Sequence, residues 1–95
     1  MADSNPMPLD AEQRLPLGLA RRGFHGRIHA IAAAGAPSGI PAAELERRLL
    51  ELGFVEGAII EILHEGLVGR DPIAVRVNDA TIALRRREAM AILVT

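Results

Sequence analysis

The stretch that decides the fold runs from Leu50 to Leu63 and reads LELGFVEGAIIEIL. Its first residues end a segment with apolar side chains at helical spacing, and its last residues alternate between apolar and polar, as in a strand. Gly53 and Gly57 separate the two patterns, and glycine readily adopts the left-handed backbone that ends helices and closes tight turns. The stretch therefore predicts a helix that ends at Gly53, a turn at Gly57 and a strand after it.

The predicted helix covers residues 42–52. Leu45, Leu49 and Leu52 recur at the spacing of one helix face, and charged residues occupy the opposite face. Pro41 favours the first turn, where its missing N–H costs nothing. We expect one amphipathic helix that packs its leucine face on the core.

The rest of the chain has the pattern of short strands joined by turns. Residues 65–72, EGLVGRDP, predict a long turn that includes Pro72, and residues 85–90 predict a short helical turn. The predicted fold is mainly β, a small closed or nearly closed barrel of about five strands with one inserted helix. Apart from residues 60–62 in the opening stretch, the predicted strands lie at residues 24–31, 73–77, 82–84 and 92–94.

The N-terminus predicts a tail and no export signal. Residues 1–14 hold two X-Pro pairs and scattered polar side chains, which predicts disorder, so the domain is expected to span residues 15–95. Acidic residues stand where a signal peptide carries basic ones, and no apolar run is long enough to span a bilayer. These features predict a cytoplasmic protein without direct membrane insertion.

Composition excludes several classes of function. The chain has no cysteine, so it has no disulfide, thiolate metal site or cysteine nucleophile, and its net charge of −1 argues against a nucleic-acid partner. It has no Trp or Tyr, which argues against base-stacking and polyproline-binding surfaces. The two serines lie in the tail and in a Pro/Gly-rich loop, so no catalytic triad is indicated. We expect neither catalysis nor a cofactor.

The histidines and one arginine run each allow two interpretations. His25 and His29 would be close on a helix, but in a strand they lie roughly 13 Å apart. With His64, they are therefore weak metal ligands, and surface or packing roles are the alternative. Residues 85–87, three arginines, suit either phosphate binding or a solvated turn.

Three segments carry a family resemblance: ERRLLELGFVEGAIIEIL at residues 46–63, LVGRDPIAVRV at 67–77 and IALRRREAMAILV at 82–94. Their order and spacing resemble the FeoA family of ferrous iron transport protein A. Two departures exist: Glu56 stands where the turn often has proline, and the loop AGAPSGIPA is longer than usual. The resemblance implies an SH3-like barrel and a cytoplasmic accessory role beside FeoB, a membrane GTPase that moves ferrous iron.

The resulting hypothesis is a non-catalytic adaptor that binds the cytoplasmic part of a FeoB-type transporter. The alternative is an Fe(II) sensor or carrier that uses His and carboxylate ligands, and a weak homo-oligomer is left open. Strand alternation turns Ile59 and Leu63 outward, either towards a partner or under the helix and its loop. The expected partner-binding residues are Leu50, Phe54, Ile59, Leu63, Leu67 and Val68.

Overall fold

The computed structural model describes residues 14–95. The predicted disordered tail, residues 1–14, lies outside them except for Arg14. In chain order the elements are β1 (Leu15–Pro16), a 3-10 helix (Leu17–Leu19), β2 (His25–Ile31), α1 (Ala42–Glu51), β3 (Ile59–Val68), β4 (Asp71–Val77), β5 (Ala80–Leu84), α2 (Arg86–Ala89) and β6 (Ile92–Val94).

One antiparallel sheet organises the described part of the chain. Its six strands follow the order β1-β6-β2-β3-β4-β5. The prediction of a mainly β fold with one inserted helix and a short helical turn is confirmed. The sheet is open, however: its edge strands are the two-residue β1 and the five-residue β5, and they do not pair with each other.

The core forms where the inward face of the sheet meets one face of α1. Leu45 and Leu49 of the helix are buried, and Phe54 joins them just after the helix ends. Burial of apolar area of this kind is the main stabilising contribution in so small a domain. The 3-10 helix, the strands and α2 complete the core with Leu17, Ile28, Ile60, Ile62, Ile73, Val75, Val77, Leu84, Ala89, Ile92 and Val94.

Helix α1 ends in a Schellman motif, which fixes the direction of the chain into β3. Gly53 has a φ of 102°, in the left-handed region that glycine tolerates best. Its N–H donates to the Leu50 carbonyl at 3.0 Å, and the Phe54 N–H donates to the Leu49 carbonyl at 3.0 Å. Gly57, with a φ of 88°, then precedes the strand.

The hairpin between β3 and β4 corrects the prediction of a long turn at residues 65–72. Strand pairing continues to Val68 opposite Asp71, so the turn consists only of Gly69 and Arg70. Both have positive φ, 67° and 60°, and such two-residue turns match the twist of paired strands. Pro72 is therefore the second residue of β4 and not part of the turn.

Candidate functional site

Two groups of apolar side chains are exposed at opposite ends of β3. The first, which we call the helix-end patch, is the set of exposed large apolar residues between the last turn of α1 and the start of β3, namely Leu50, Leu52, Val55 and Ile59, each between 42% and 48% exposed. The second, the hairpin tip, consists of Leu67 and Val68, with relative exposures of 102% and 86%. The tip is thus far more exposed than any other part of the apolar surface within residues 14–95.

The structure divides the sequence-predicted contact residues between these two places. At roughly 3.3 Å per residue, Ile59 and Val68 lie roughly 30 Å apart along the strand, so one small contact cannot include both. Leu63 is half-buried at a bulge in β3. The prediction that Phe54 is exposed for partner binding was wrong. Its side chain is 0% exposed, because the Schellman motif places the second residue after the helix cap against the core.

A second bulge turns Leu67 outward. Between Glu65 and Val68, strand β3 contains one residue more than β4, which releases Leu67 from regular pairing. Gly66 makes this possible, since a Cβ at that position would meet the backbone of Asp71. The exposure of Leu67 is therefore built into the backbone of the hairpin.

Arg86, the first residue of α2, ties the hairpin to the rest of the domain. Its Nη1 donates to the carbonyls of Gly18 at 3.0 Å and Ala20 at 2.6 Å, and its Nε donates to the Arg70 carbonyl at 2.7 Å. Its Nη2 forms a salt bridge of 2.7 Å with Glu65, in which both side chains are more than four-fifths buried. One guanidinium thus joins the 3-10 helix, β3, the turn and α2.

This arrangement separates the three arginines that the sequence treats as one run. Arg85 and Arg87 are exposed, whereas the guanidinium of Arg86 donates hydrogen bonds to acceptors within the protein. The solvated-turn interpretation therefore fails for Arg86, because four acceptors from distant segments converge on it. An arginine run gives no sign of such convergence, which arises from the tertiary fold.

A shallow groove lies behind the hairpin tip, between the 3-10 helix and the turn. It has a volume of about 240 Å³. Leu19, 64% exposed, forms one side, and Arg21 and Arg70 present exposed side chains to it. Sequence reasoning missed Leu19, Leu52 and Val55 as exposed apolar residues, since their patterns fit a turn or a helix face equally well.

The three histidines do not gather into a metal site. His25 and His29 both lie on β2, and His64 is on β3 opposite Ala74. His25 and His64 are exposed and His29 is half-buried. Within residues 14–95, no three His, Asp or Glu side chains are grouped closely enough to hold a metal ion.

A membrane-spanning helix must be both long and apolar. Among residues 14–95, no helix is both long enough and apolar enough to cross a bilayer.

Comparisons with solved structures agree with this fold. An FeoA-like protein from Clostridium acetobutylicum is 27% identical, covering 86% of this chain and 85% of its own, with a TM-score of 0.69. The FeoA protein from Chlorobium tepidum is 32% identical, covering 84% of this chain and 68% of its own, with a TM-score of 0.65. No match to this chain was found among curated proteins.

The Stenotrophomonas maltophilia FeoA, solved in complex with zinc, is 29% identical. The match covers 83% of this chain and 87% of that protein, with a TM-score of 0.66. That protein is described as a prokaryotic SH3 domain protein and a candidate ferrous iron transport activating factor. The SH3-like fold expected from the sequence is thereby confirmed. The family model of the FeoA domain matches residues 15–95, and the chain belongs to the FeoA family.

Proposed function

We propose that this chain is a non-catalytic accessory protein of ferrous iron uptake that binds the cytoplasmic part of a FeoB-type membrane GTPase. The observation that carries the proposal is the match of the FeoA domain over residues 15–95. The description of the Stenotrophomonas relative as a candidate transport activator supports the same role. The proposal locates the chain in the cytoplasm, recruited to the membrane through its partner.

The proposed mechanism is a shift in the conformational equilibrium of the transporter. A bound protein changes such an equilibrium only if it binds one conformer more tightly than the other. A rigid contact surface serves this purpose, because less ordering entropy is lost on binding. The Schellman motif at Gly53 and the buried Phe54 fix the backbone that carries the helix-end patch.

We assign the transporter contact to the helix-end patch. Leu50 lies in the last turn of α1, Leu52 caps the helix, Val55 follows in the connection, and Ile59 opens β3. All four are partly exposed although the core takes up most other large apolar side chains of the domain. Patches of this kind favour association with a protein surface.

The experiment is complementation of ferrous iron uptake in cells that lack this chain. Wild-type protein is expected to restore uptake of radioactive Fe(II), whereas the variant Leu50→Glu/Ile59→Glu is expected to fail. The control is Thr81→Glu, an exposed change on β5. Cellular abundance and urea unfolding of each variant separate lost binding from lost folding.

Two outcomes contradict the proposal. Unchanged Fe(II) uptake when the chain is absent removes the transport role altogether. Full restoration by the folded Leu50→Glu/Ile59→Glu variant removes the helix-end patch as the contact, even if the transport role stands.

A further inference from the structure

The hairpin tip lies outside the proposed transporter contact and has a distinct shape. Leu67 and Val68 are consecutive residues, and both are almost fully exposed at the end of a two-stranded projection. They form a convex apolar end and not the wall of a cleft. Apolar side chains in such a position are unfavourable in water unless another surface receives them.

Arg70 adds a cation at the same end, at a cost to the fold. Its φ of 60° lies in the left-handed region, where glycine or asparagine is more stable than arginine. Only its main-chain carbonyl is used inside the protein, as the acceptor for Arg86 Nε at 2.7 Å. The guanidinium of Arg70 is exposed, so its presence has no structural explanation.

Around the tip, the charges that form no salt bridge within the described part of the chain are three arginines and the carboxylate of Asp71, so the positive charges outnumber the negative. Arg21, Arg22 and Arg70 are exposed, and none of them forms a salt bridge among residues 14–95. The neighbouring carboxylates are occupied: Glu65 accepts from Arg86 and from the Arg22 N–H, and Asp71 accepts from the Arg86 N–H at 2.9 Å. This end is therefore basic although the whole chain carries a net charge of −1.

From these observations we propose that the hairpin tip docks on an anionic lipid surface. Leu67 and Val68 enter the boundary between headgroups and acyl chains, and Arg21, Arg22 and Arg70 lie at the level of the lipid phosphates. Apolar side chains with basic neighbours are the combination that holds proteins at such an interface. The contact is interfacial and differs from the sequence-based prediction, which expects no direct membrane insertion.

The shape of the tip favours lipid over an acidic peptide as the occupant. A protein partner needs a pocket that matches both side chains at the convex end, whereas a bilayer surface deforms around them. The groove behind the tip, about 240 Å³ in volume, is smaller than the roughly 300 Å³ at which ligand pockets begin. Binding to an acidic protein segment is therefore the alternative that the test can reveal.

The test is sedimentation of the full chain with vesicles, without the transporter. Wild-type protein is expected to sediment with vesicles of equal parts phosphatidylglycerol and phosphatidylcholine and to remain in solution with phosphatidylcholine alone. The variant Leu67→Glu/Val68→Glu is expected to remain in solution with both. Arg70→Asn, which suits the turn, is expected to lower binding to the anionic vesicles about fivefold.

Fluorescence adds a measurement that does not depend on the charge variants. The chain contains no tryptophan, so Leu67→Trp introduces a single reporter at the tip. Its emission is expected to shift to shorter wavelength with the anionic vesicles. Thr81→Trp is expected to show no shift, since Thr81 of β5 pairs with Arg76, at the end of β4 that is remote from the hairpin tip.

The inference is overturned if wild-type protein stays in solution with anionic vesicles, or if the Leu67→Trp emission does not move. It is also overturned if Leu67→Glu/Val68→Glu binds vesicles as well as wild type. If vesicles are not bound and the same variant loses binding to the transporter, the tip is a protein contact instead. Iron uptake by the Leu50→Glu/Ile59→Glu variant tests the proposed function separately.

Discussion

At the scale of single residues, Arg86 shows how one side chain holds a small domain together. Its guanidinium is planar and permanently charged, and it donates in several fixed directions at once. Here the acceptors are the carbonyls of Gly18, Ala20 and Arg70 and the carboxylate of Glu65. Losing it leaves a largely buried carboxylate and three carbonyls without their donor.

We predict that Arg86→Met lowers the free energy of unfolding by about 3 kcal/mol, because breaking a buried pair leaves one charge uncompensated. Arg87→Met is the matched control, since Arg87 is exposed, and is expected to change it by less than about 0.5 kcal/mol. Urea denaturation followed by circular dichroism measures both. Equal stabilities of the two variants contradict the assigned role of Arg86.

Arg70 illustrates the opposite case, in which a residue lowers stability. Replacing it by asparagine, which tolerates a φ of 60°, is expected to raise the free energy of unfolding by about 0.5 to 1 kcal/mol. Arg21→Asn removes the same charge outside the turn and is expected to bring no gain. The thermal midpoints of the two variants decide, and no advantage for Arg70→Asn refutes the claim of strain.

At the scale of elements, the sequence predicts the boundary from α1 to β3 well and the β3–β4 hairpin poorly. A helical pattern that ends at a glycine predicts a left-handed residue that ends the helix, and Gly53 adopts that conformation. In EGLVGRDP the glycines and the proline are typical of a loop, although Gly66 and Pro72 lie within paired strands. Local composition cannot predict this, because the pairing depends on a bulge and on the distant contacts of Arg86.

The same limit applies to the candidate site. Ile59 was found from alternation alone and is exposed, whereas Phe54 was misplaced because its burial depends on how the helix end meets the core. The sequence also did not show that Ile59 and Val68 lie at opposite ends of one strand, because it did not predict how far β3 extends. The exposure of single side chains such as Ile59 was predictable, but the grouping of exposed side chains on the surface was not.

The bulge gives a prediction for the hairpin as a unit. Gly66→Ala is expected to lower the free energy of unfolding by about 2 kcal/mol, since the added methyl group meets the Asp71 backbone. His64→Ala, an exposed change on the same strand, is the control and is expected to cost less than about 0.5 kcal/mol. If Gly66→Ala unfolds at the same urea concentration as wild type, the close approach is not real.

At the scale of the whole molecule, the long hairpin separates two surfaces with different character. One end carries the helix-end patch, and the other carries the apolar tip with exposed arginines around it. In our proposals, the first contacts a transporter and the second contacts the lipid beside it. A small domain with two such contacts gains affinity because the second forms within the same complex.

The central claim is that this chain binds a FeoB-type transporter through the helix-end patch. The most direct test is the dissociation constant for full-length transporter in nanodiscs of neutral phosphatidylcholine, which give the tip no anionic surface. Wild type and Leu67→Glu/Val68→Glu are expected to bind alike, and Leu50→Glu/Ile59→Glu is expected to bind at least about tenfold more weakly. Absence of wild-type binding, or equal binding by the folded Leu50→Glu/Ile59→Glu variant, contradicts the claim.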